Sequence, residues 1–578
     1  MGHSLDVVGV SYRYPKADAA VLHQVGLSFP KGSFTVVMGQ TGAGKSTLLM
    51  TLNGVIPHLK EGDLEGRVLL DGTDLRAFRV QTITEYVGLV LQDPESQILG
   101  RTVAEDVAFG PRNYLVPRQE IRRRVADCLA AVDLGGFDDR ETGQLSGGQK
   151  QRLAIAGILA LQPQVLCLDE PTSELDPQGR AEIYDTVDAL RRSGETTIVA
   201  VEHASADVVH RADHLVVLRD GRVSWQGEPG DFFRDAELVR SNLVKPLPLA
   251  TVGGELVAAG LIEPAQVPLD VDSAERLVRT LSGGRVLPPP PPLEPAPAPG
   301  EPVVELRGLV HTYPGGHRGL SGVDLTIGRG EYVALVGRNG AGKTTLVKHL
   351  NRILDPTAGT VVVNGIEAAR LEPWQLAHHV GYVFQNPDHQ IFSPTVAEEV
   401  RYGLKLAGLP AEEIEHRIDE VLALTGLDAV RGEHPFSLGK GERQRIAVAS
   451  ILALRPSILV VDEPTTGQDW AGVQAMMSLI DRLNSEGTTI LMVTHDIDVV
   501  AHHARRVVVV DDGRITADGP TAEVLSRTGV LAAAAVETTQ TVALSLRLWP
   551  EAPPVLDEAM LGAHLAAALA GAEVRGEA

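Results

Sequence analysis

The chain contains little cysteine and no long apolar run. Cys128 and Cys167 are the only cysteines among 578 residues, so a framework of several disulfide bonds is excluded. No run of about 18 or more apolar residues occurs, and a conventional membrane-spanning helix is therefore not expected. The opening residues, MGHSLDVVGV, lack a charged segment followed by an apolar core, so we expect no secretion signal. These properties fit a protein of the reducing cytoplasm.

Basic residues are also few relative to acidic ones. The 52 lysines and arginines are outnumbered by 75 aspartates and glutamates, which gives a formal net charge of −23. Binding to nucleic acid without regard to sequence depends on neutralising phosphates, and an acidic chain is poorly suited to it. We therefore expect no nucleic-acid partner. The apolar fraction of 44% is that of an ordinary globular protein, and the length predicts several domains.

The sequence contains a tandem repeat. MGQTGAGKSTLL (38–49) returns as VGRNGAGKTTLV (336–347), and LCLDEPTSELD (166–176) returns as LVVDEPTTGQD (459–469). The order of these motifs is the same in both copies and their spacing drifts by only a few residues, which indicates a duplication.

A proline-rich segment, LPPPPPLEPAPAPGEP, separates the copies. Proline at this density favours extended polyproline II over helix or central strand, so we interpret the segment as a semi-rigid spacer. A ligand for a proline-binding domain is the alternative. The stretch after each copy reads as a short helix-forming appendage, with a loosely ordered tail as the alternative. The predicted organisation is a first repeat domain (1–235), its C-terminal appendage (236–286), the linker (287–302), a second repeat domain (303–525) and its C-terminal appendage (526–578).

Each copy contains the phosphate-binding pattern GxxxxGK[ST] directly after an apolar run, FTVVM or YVALV. Its glycines let the backbone wrap a phosphate chain and aim N–H groups at it, and the following helix adds its positive end. The lysine reaches the β- and γ-phosphates, and the next hydroxyl ligates Mg²⁺. The predicted nucleotide-binding residues are Gly39, Gly42, Gly44, Lys45, Ser46 and Thr47 in the first copy and Gly337, Gly340, Gly342, Lys343, Thr344 and Thr345 in the second.

Two apolar runs, VLCLDE and ILVVDE, have the composition of strands buried in a parallel sheet, and each ends in two carboxylates. In a phosphate-loop protein the first carboxylate, Asp169 or Asp462, is expected to hold Mg²⁺ through water. The second, Glu170 or Glu463, can orient and deprotonate an attacking water.

Two histidines, His203 and His495, end the apolar runs TTIVAVEH and TTILMVTH. A histidine at a strand end is often structural. Here both copies place it after the acidic run, which suggests contact with the γ-phosphate, and we count both with the catalytic residues.

The motif LSGGQ (145–149) makes a family resemblance specific. The chain resembles ABC-type ATPases with two nucleotide-binding domains, and the resemblance covers nearly everything outside the linker. It implies an α/β fold in which each domain has a RecA-like core, a small antiparallel β subdomain and a helical signature subdomain. It also implies that the two halves pair within the chain and sandwich two ATP molecules, each held by one phosphate loop and the opposite signature.

The same resemblance assigns further residues. Gln92 and Gln385 are implied to sense Mg²⁺ and the membrane partner, and to help hold the metal. Tyr14 and Tyr313 are the implied adenine-stacking residues; Tyr12 is a rival in the first copy, and ordinary packing is the alternative for all three. Two aspartates, Asp176 and Asp469, are implied to belong to the D-loops. The implied signature residues are Ser146, Gly147, Gly148 and Gln149 in the first copy and Gly439, Lys440, Gly441 and Glu442 in the second.

The second signature is altered: QLSGGQKQ in the first copy corresponds to SLGKGERQ in the second. By the resemblance, the altered signature faces the site of Lys45 and Glu170, and the intact one faces the site of Lys343 and Glu463. Replacement of the serine by Gly439 removes a hydroxyl donor, at a cost of about 1.5–3 kcal/mol for a charged partner, while Lys440 adds a cation. We therefore expect both sites to bind ATP and the Glu463 site to carry most hydrolysis.

A narrower resemblance connects LNGVIPHLKEG (52–62), QDPESQILGRTVAEDVAFGPRN (92–113) and QNPDHQIFSPTVAEEVRYG (385–403) to the ATPases of energy-coupling factor importers. These bacterial systems take up vitamins or cobalt and nickel ions. The implied partners are an integral membrane coupling protein and a small substrate-binding membrane subunit. The implied location is peripheral, at the cytoplasmic face of the cell membrane.

Two other classes of ABC ATPase remain alternatives. Soluble tandem ATPases of the F subfamily act in translation, but their linker is typically helical and charged and they contact RNA. ATPases of DNA maintenance need a long coiled coil or a zinc insertion, and this sequence has neither sustained heptads nor CxxC pairs. The acidic composition and the proline-rich linker favour the transport motor.

Overall fold

The computed structural model describes residues 5–173, 175–192, 194, 196–291 and 300–571. Part of the predicted linker, 292–299, and the end of the second appendage lie outside the described residues. The chain divides into two units, Met1–Ala250 and Thr251–Ala578. Among the described helices, none is both long enough and apolar enough to cross a membrane.

The first unit contains two sheets. Its strands are β1 (Leu5–Arg13), β2 (Leu22–Phe29), β3 (Phe34–Gly39), β4 (Asp63–Leu70), β5 (Thr73–Asp74), β6 (Val87–Val90), β7 (Val165–Asp169), β8 (Thr197–Val201), β9 (His214–Arg219) and β10 (Arg222–Gly227). A six-stranded sheet has the order β10-β9-β3-β8-β7-β6 and is parallel except at the β10 edge. A separate antiparallel sheet has the order β2-β1-β4-β5.

The central strands explain where the predicted motifs meet. Every residue of β3, β7 and β8 is buried, as their continuous apolar runs predict for a parallel sheet covered on both faces. The phosphate loop follows β3, Asp169 ends β7 with Glu170 directly after it, and His203 lies two residues after the end of β8. Because parallel strands present their carboxyl ends at one edge, these three segments converge there.

Helices complete the first unit. They are α1 (Lys45–Leu52), α2 (Val55–His58), α3 (Val80–Tyr86), α4 (Val103–Val107), α5 (Phe109–Asn113), α6 (Arg118–Ala131), α7 (Gly147–Leu159), α8 (Pro177–Arg192), α9 (Ser205–Arg211), α10 (Pro229–Arg234) and α11 (Ala236–Ser241). The next helix, α12 (Pro248–Ala258), crosses the boundary between the units. Helices α4, α5 and α6 pack on α7, which the first signature begins, and this is the predicted helical subdomain.

The second unit repeats both sheets. Its strands are β11 (Pro302–Thr312), β12 (Arg318–Gly328), β13 (Tyr332–Val336), β14 (Ala358–Val363), β15 (Ile366–Glu367), β16 (Val380–Val383), β17 (Ile458–Asp462), β18 (Thr489–Val493), β19 (Arg506–Asp511) and β20 (Arg514–Pro520). The orders are β16-β17-β18-β13-β19-β20 and β12-β11-β14-β15. The two-domain α/β architecture predicted from the sequence is thus confirmed.

The remaining helices of the second unit follow two patterns. One set repeats the helices of the first domain, and the other builds the appendages. They are α13 (Val271–Ser282), α14 (Lys343–Lys348), α15 (Pro373–Leu376), α16 (Val396–Leu406), α17 (Ala411–Thr425), α18 (Lys440–Leu452), α19 (Trp470–Ser485), α20 (Ile497–His503), α21 (Thr521–Ser526), α22 (Thr528–Ala533), α23 (Gln540–Leu548) and α24 (Glu558–Leu569).

The two stretches predicted as separate appendages pack against each other. Helix α13, from the first stretch, contacts α23 and α24, from the second. Arg547 forms ion pairs with Asp272 and Glu275 across this contact. Residues 251–286 therefore belong to the second unit, and the division between the units falls before the proline-rich segment.

Gly562 lies in α24 and faces α12, so a substitution here tests how closely these two helices pack. A Cβ atom at Gly562 would lie 2.8 Å from both Cβ and Cγ of Glu255 and 3.2 Å from Cα of Val252. We expect Gly562→Ala to lower the free energy of unfolding by about 1–3 kcal/mol, because the two helices must separate. Calorimetric melting temperatures measure the effect.

The matched control is Gly529→Ala in α22, where an added Cβ would meet nothing within 4 Å. This variant should be as stable as the parent or slightly more stable, because alanine favours helix. Equal melting temperatures for the two variants would show that α24 does not pack closely on 251–258.

Candidate functional site

The phosphate loop of the first unit is built around its lysine. Gly39, Gly42 and Gly44 adopt φ values of +141°, +81° and +95°, and a Cβ at Gly39 would lie 2.1 Å from the Leu218 carbonyl oxygen. Only glycine adopts this backbone without strain. Lys45 Nζ donates hydrogen bonds to the carbonyl oxygens of Gly39 (2.8 Å) and Gln40 (2.9 Å), and α1 begins at this lysine.

The second phosphate loop has the same geometry. Gly337, Gly340 and Gly342 adopt φ values of +149°, +80° and +106°. Lys343 Nζ donates to the carbonyl oxygens of Gly337 (2.6 Å) and Arg338 (3.0 Å). Each loop thus wraps a lysine ammonium at a helix N-terminus, which suits the phosphate chain of a nucleotide.

The predicted Mg²⁺ ligands lie together in both units. Ser46 Oγ donates to Asp169 Oδ1 at 3.1 Å, and Thr344 Oγ1 donates to Asp462 Oδ1 at 3.3 Å. Burial raises the pKa of Asp169 to about 6 and also raises the pKa of Asp462. A hydroxyl beside a buried carboxylate fits Mg²⁺, which prefers oxygen ligands and would favour the ionised carboxylate.

Glu170 is held from both sides in the first unit. His203 Nε2 lies 3.0 Å from Oε1, and Gln92 Nε2 donates to Oε2 at 2.7 Å. The glutamate has a φ of +48°, a left-handed conformation that is uncommon for a residue other than glycine. Strain of this kind is concentrated at functional sites, where the surrounding contacts enforce it.

Glu463 has the same backbone and a different set of contacts. Its φ is +52°, and its Oε2 lies 2.9 Å from His495 Nδ1. Thr466 Oγ1 donates to the same oxygen at 3.4 Å. Gln385, the counterpart of Gln92, is exposed, and within the described residues no hydrogen bond joins it to Glu463. The structure thus brings the histidine to both glutamates and the glutamine to one.

Of the three tyrosines considered for adenine stacking, one packs in the core and two lie beside the phosphate loops. Tyr12 is fully buried, and its hydroxyl donates to the Glu61 carbonyl oxygen at 2.7 Å. The half-buried Tyr14 places its hydroxyl 3.1 Å from Thr47 Oγ1, and Tyr313 makes the same contact with Thr345 Oγ1 at 2.9 Å. Of the two first-copy candidates, Tyr14 is therefore the one beside the phosphate loop.

The two signatures begin equivalent helices differently. Ser146 precedes α7 and forms a capping box: its Oγ accepts from Gln149 N at 3.3 Å and Gln149 Oε1 accepts from Ser146 N at 3.1 Å. The serine is followed by Gly147 and Gly148. At the start of α18 only one of these two hydrogen bonds remains, because Gly439 has no side chain that could accept from the backbone N–H of Glu442. The Gly439 N–H donates to Glu442 Oε2 at 3.0 Å.

The cation of the second signature lies beside a D-loop. Lys440 Nζ is 2.6 Å from the position a Cβ on Gly467 would occupy, and Gly441 follows it in α18. The D-loop aspartates themselves begin helices: Gly179 N donates to Asp176 Oδ1 and Gly472 N to Asp469 Oδ1, each at 2.8 Å.

Sequence reasoning missed a buried acid beside the first site. Glu202 precedes His203, is fully buried, and has both carboxylate oxygens within 3.0–3.1 Å of Thr172 Oγ1. Burial raises its pKa to about 8. The second copy has Thr494 at this position, so comparison of TTIVAVEH with TTILMVTH was the available signal.

Two further differences surround the second site. Tyr382 donates from its hydroxyl to Asp462 Oδ2 at 2.8 Å, whereas the first copy has Leu89 in the equivalent strand. Buried His349 lies with Nε2 3.2 Å from His311 Nδ1, and the His311 ring stacks edge-on against Tyr313 at 4.7 Å. Burial lowers the pKa of His349.

Comparison with known proteins identifies the family. A model of the ABC transporter family matches residues 22–173 and 320–466. A relative from Methanosarcina acetivorans is named as an ABC transporter ATP-binding protein. It is 41% identical to this chain over 536 residues, which cover 91% of this chain and 87% of the relative. The chain belongs to the ABC transporter family.

A second relative agrees with this assignment. A protein named for the same ATP-binding component in Caldanaerobacter subterraneus subsp. tengcongensis is 37% identical, covering 94% of this chain and 96% of that protein. The solved structure of cbiO1 from Clostridium perfringens, part of the ABC transporter complex cbiONQ, is 34% identical and covers 40% of this chain and 94% of that chain, with a TM-score of 0.37. The ABC protein described here is an ATPase that binds ATP with Mg²⁺.

Glu202 gives the first unit a testable pH dependence. The folded chain keeps the proton up to a pKa of about 8, whereas an exposed glutamate loses it near 4.5. The contribution of Glu202 to the unfolding free energy is therefore full below about pH 4.5 and is lost as pH rises towards 8. Relative to Glu202→Gln, the parent should lose roughly 2–4 kcal/mol of stability between about pH 5 and 8.5.

Denaturation midpoints of both proteins across this pH range measure the difference. Glu228→Gln, which removes an exposed glutamate, serves as the control and should follow the parent at every pH. Parallel curves for the parent and Glu202→Gln would mean that Glu202 is ionised when folded.

Proposed function

We propose that this ABC ATPase is the motor of an importer of the energy-coupling factor type, which takes up a vitamin or a transition-metal ion. The supporting observation is an exposed apolar cluster in the segment after Gln385. Phe392, Tyr402 and Leu406 are 62%, 48% and 71% exposed, and the two rings contact edge-on at 4.7 Å. Exposed aromatic side chains in contact are typical of a protein interface.

The first unit offers related side chains after Gln92. Leu99 and Phe109 are exposed there. Each cluster follows, in the sequence, a glutamine that is predicted to sense Mg²⁺. A partner bound at the cluster would therefore contact the chain segment that leads to the predicted hydrolysis site of the same unit. We assign these clusters to the membrane coupling protein, which works with a small substrate-binding subunit at the cytoplasmic face of the membrane.

The partner assignment predicts a loss of membrane association. Tagged Phe392→Ser/Leu406→Ser protein and its parent are purified from detergent-solubilised native membranes and their partners identified by mass spectrometry. The parent should capture a helical coupling protein and a small hydrophobic subunit, which would point to the solute, and the double variant should recover at least about tenfold less of both.

Trp374→Ser removes an aromatic side chain that is 65% exposed elsewhere in the same unit, and it should capture partners like the parent. Ribosomal proteins without a membrane partner would overturn the importer and favour the translation ATPases.

The contacts in each unit support the following proposed catalytic roles. Lys45 and Lys343 bind the phosphates, and Mg²⁺ neutralises phosphate charge when bound. Glu170 and Glu463 orient the attacking water and accept its proton. His203 and His495 hold these carboxylates in place. The metal would be held by Ser46, Asp169 and Gln92 in one unit and by Thr344, Asp462 and Gln385 in the other.

The two sites are proposed to differ in rate. By the family pairing, Glu170 works with the altered signature, whose Gly439 lacks the serine hydroxyl. Lys440 lies beside Gly467 of its own unit, and it offsets part of this loss only if its cation reaches the phosphate. Loss of one hydrogen bond to a charged group corresponds to about tenfold or more in rate.

Steady-state ATPase activity tests this asymmetry. Glu463→Gln should lose at least about tenfold, and Glu170→Gln less than about twofold, because the slower site contributes little to the total. Both variants should bind a fluorescent ATP analogue like the parent. Adding Gly439→Ser to Glu463→Gln should restore part of the activity; equal losses in the two glutamine variants without such restoration contradict the asymmetry.

A further inference from the structure

Trp549 and His564 form a pair of aromatic rings on the helical appendage of the second unit. Trp549 directly follows α23 and is buried, and His564 lies in α24. Their rings meet edge-on, with centroids 5.5 Å apart. The function proposed above gives this pair no role, since it belongs neither to the nucleotide site nor to the exposed apolar clusters.

Both rings donate hydrogen bonds to the start of the proline-rich segment. Trp549 Nε1 donates to the carbonyl oxygen of Leu287 at 2.9 Å. His564 Nε2 lies 2.9 Å from the carbonyl oxygen of Pro288. A carbonyl oxygen only accepts, so Nε2 of His564 carries the proton of this hydrogen bond. Two adjacent carbonyls are therefore bound by two aromatic N–H groups.

This arrangement suits a run of prolines for a specific reason. Polyproline II has no internal hydrogen bonds, and proline has no backbone N–H, so such a segment offers carbonyl oxygens and apolar rings alone. Proteins recognise it with aromatic surfaces that also carry hydrogen-bond donors. Tryptophan supplies both a large apolar ring and one N–H donor.

We propose that Trp549 and His564 form a recognition site for a proline-rich extended segment, occupied in cis by residues 287–291 of this chain. Leu287 supplies the first carbonyl and Pro288 the second, and Pro289, Pro290 and Pro291 follow. The segment is then an anchored ligand at this end. The proline-rich segment would then be both a spacer and a ligand, and its binding site would lie in the same chain.

The anchor has a structural consequence. Trp549 and His564, which bind residues 287 and 288, belong to the second unit. The strand β11, which begins at Pro302, belongs to the same unit. The proline-rich segment therefore connects two parts of one unit. Its site fixes where that connection starts, beside the contact between Arg547 and Asp272 that holds 251–286 on the same helices.

A peptide-binding experiment tests the site in the full-length chain. Residues 287–291 are replaced by Gly-Ser-Gly-Ser-Gly, which keeps backbone carbonyl oxygens but removes the fixed proline backbone and so weakens occupation of the site in cis. A fluorescently labelled peptide of residues 284–291, GRVLPPPP, is then titrated and its anisotropy recorded. The peptide should bind the replaced protein and should bind the parent at least about tenfold more weakly, because the cis segment acts at a millimolar effective concentration.

Substitutions identify the donors. In the replaced protein, Trp549→Phe keeps a ring but loses the N–H group and should weaken peptide binding by about threefold to tenfold. Trp374→Phe, at an exposed tryptophan outside the site, should leave binding unchanged. Melting temperatures of all variants establish that they fold.

Several results would overturn the proposal. These are no peptide binding to the folded replaced protein, equal binding to the parent, or equal binding after Trp549→Phe. A peptide with alanine in place of the four prolines should fail to bind, and binding as tight as that of GRVLPPPP would show that the contact does not select proline. None of these readouts depends on ATP hydrolysis or on a membrane partner.

Discussion

The position of the strand-end glutamate depends on one backbone hydrogen bond in each unit. Glu170 N donates to the Val201 carbonyl oxygen at 3.1 Å, and Glu463 N donates to Val493 at 2.8 Å. Each bond extends the parallel pairing of the acidic strand one residue beyond its end. The glutamate thereby takes a left-handed backbone, and its carboxylate meets the histidine that follows the neighbouring strand. The strain costs about 1–3 kcal/mol and persists because the buried sheet enforces it.

Local patterns in the sequence were sufficient for the fold, and the site residues that they predict in each unit lie near one another at one edge of its sheet. Apolar runs predicted the parallel strands, and the residues at their carboxyl ends converge because strand ends share an edge. The contacts of Glu202, Tyr382 and Trp549 were not predictable in this way. Each depends on which distant residue packs opposite: Trp549 and Leu287, for example, are 262 residues apart. Local periodicity also gave no indication that 251–286 would pack in the second unit.

The two copies share a backbone and differ in polar contacts around the acids. In the first unit Gln92 and His203 bind both oxygens of Glu170, and Glu202 adds a buried acid next to the histidine. In the second unit Tyr382 binds Asp462 instead. These differences change the hydrogen bonds of partly or fully buried carboxylates, where each hydrogen bond counts most. Duplication thus preserved the scaffold while the electrostatics of the two sites diverged.

The assignment of residues 251–286 to the second unit changes what a backbone break would do. A single cleavage among the described prolines at 288–291 would yield one fragment ending in those prolines and another that begins before β11 and contains it. The first fragment would still carry α13, which packs on α23 and α24 of the second and pairs through Asp272 with Arg547. The two pieces would therefore remain associated without a peptide bond between them. Two separately encoded chains divided at these prolines would therefore share the same contact, with α13 of one chain packed on α23 and α24 of the other.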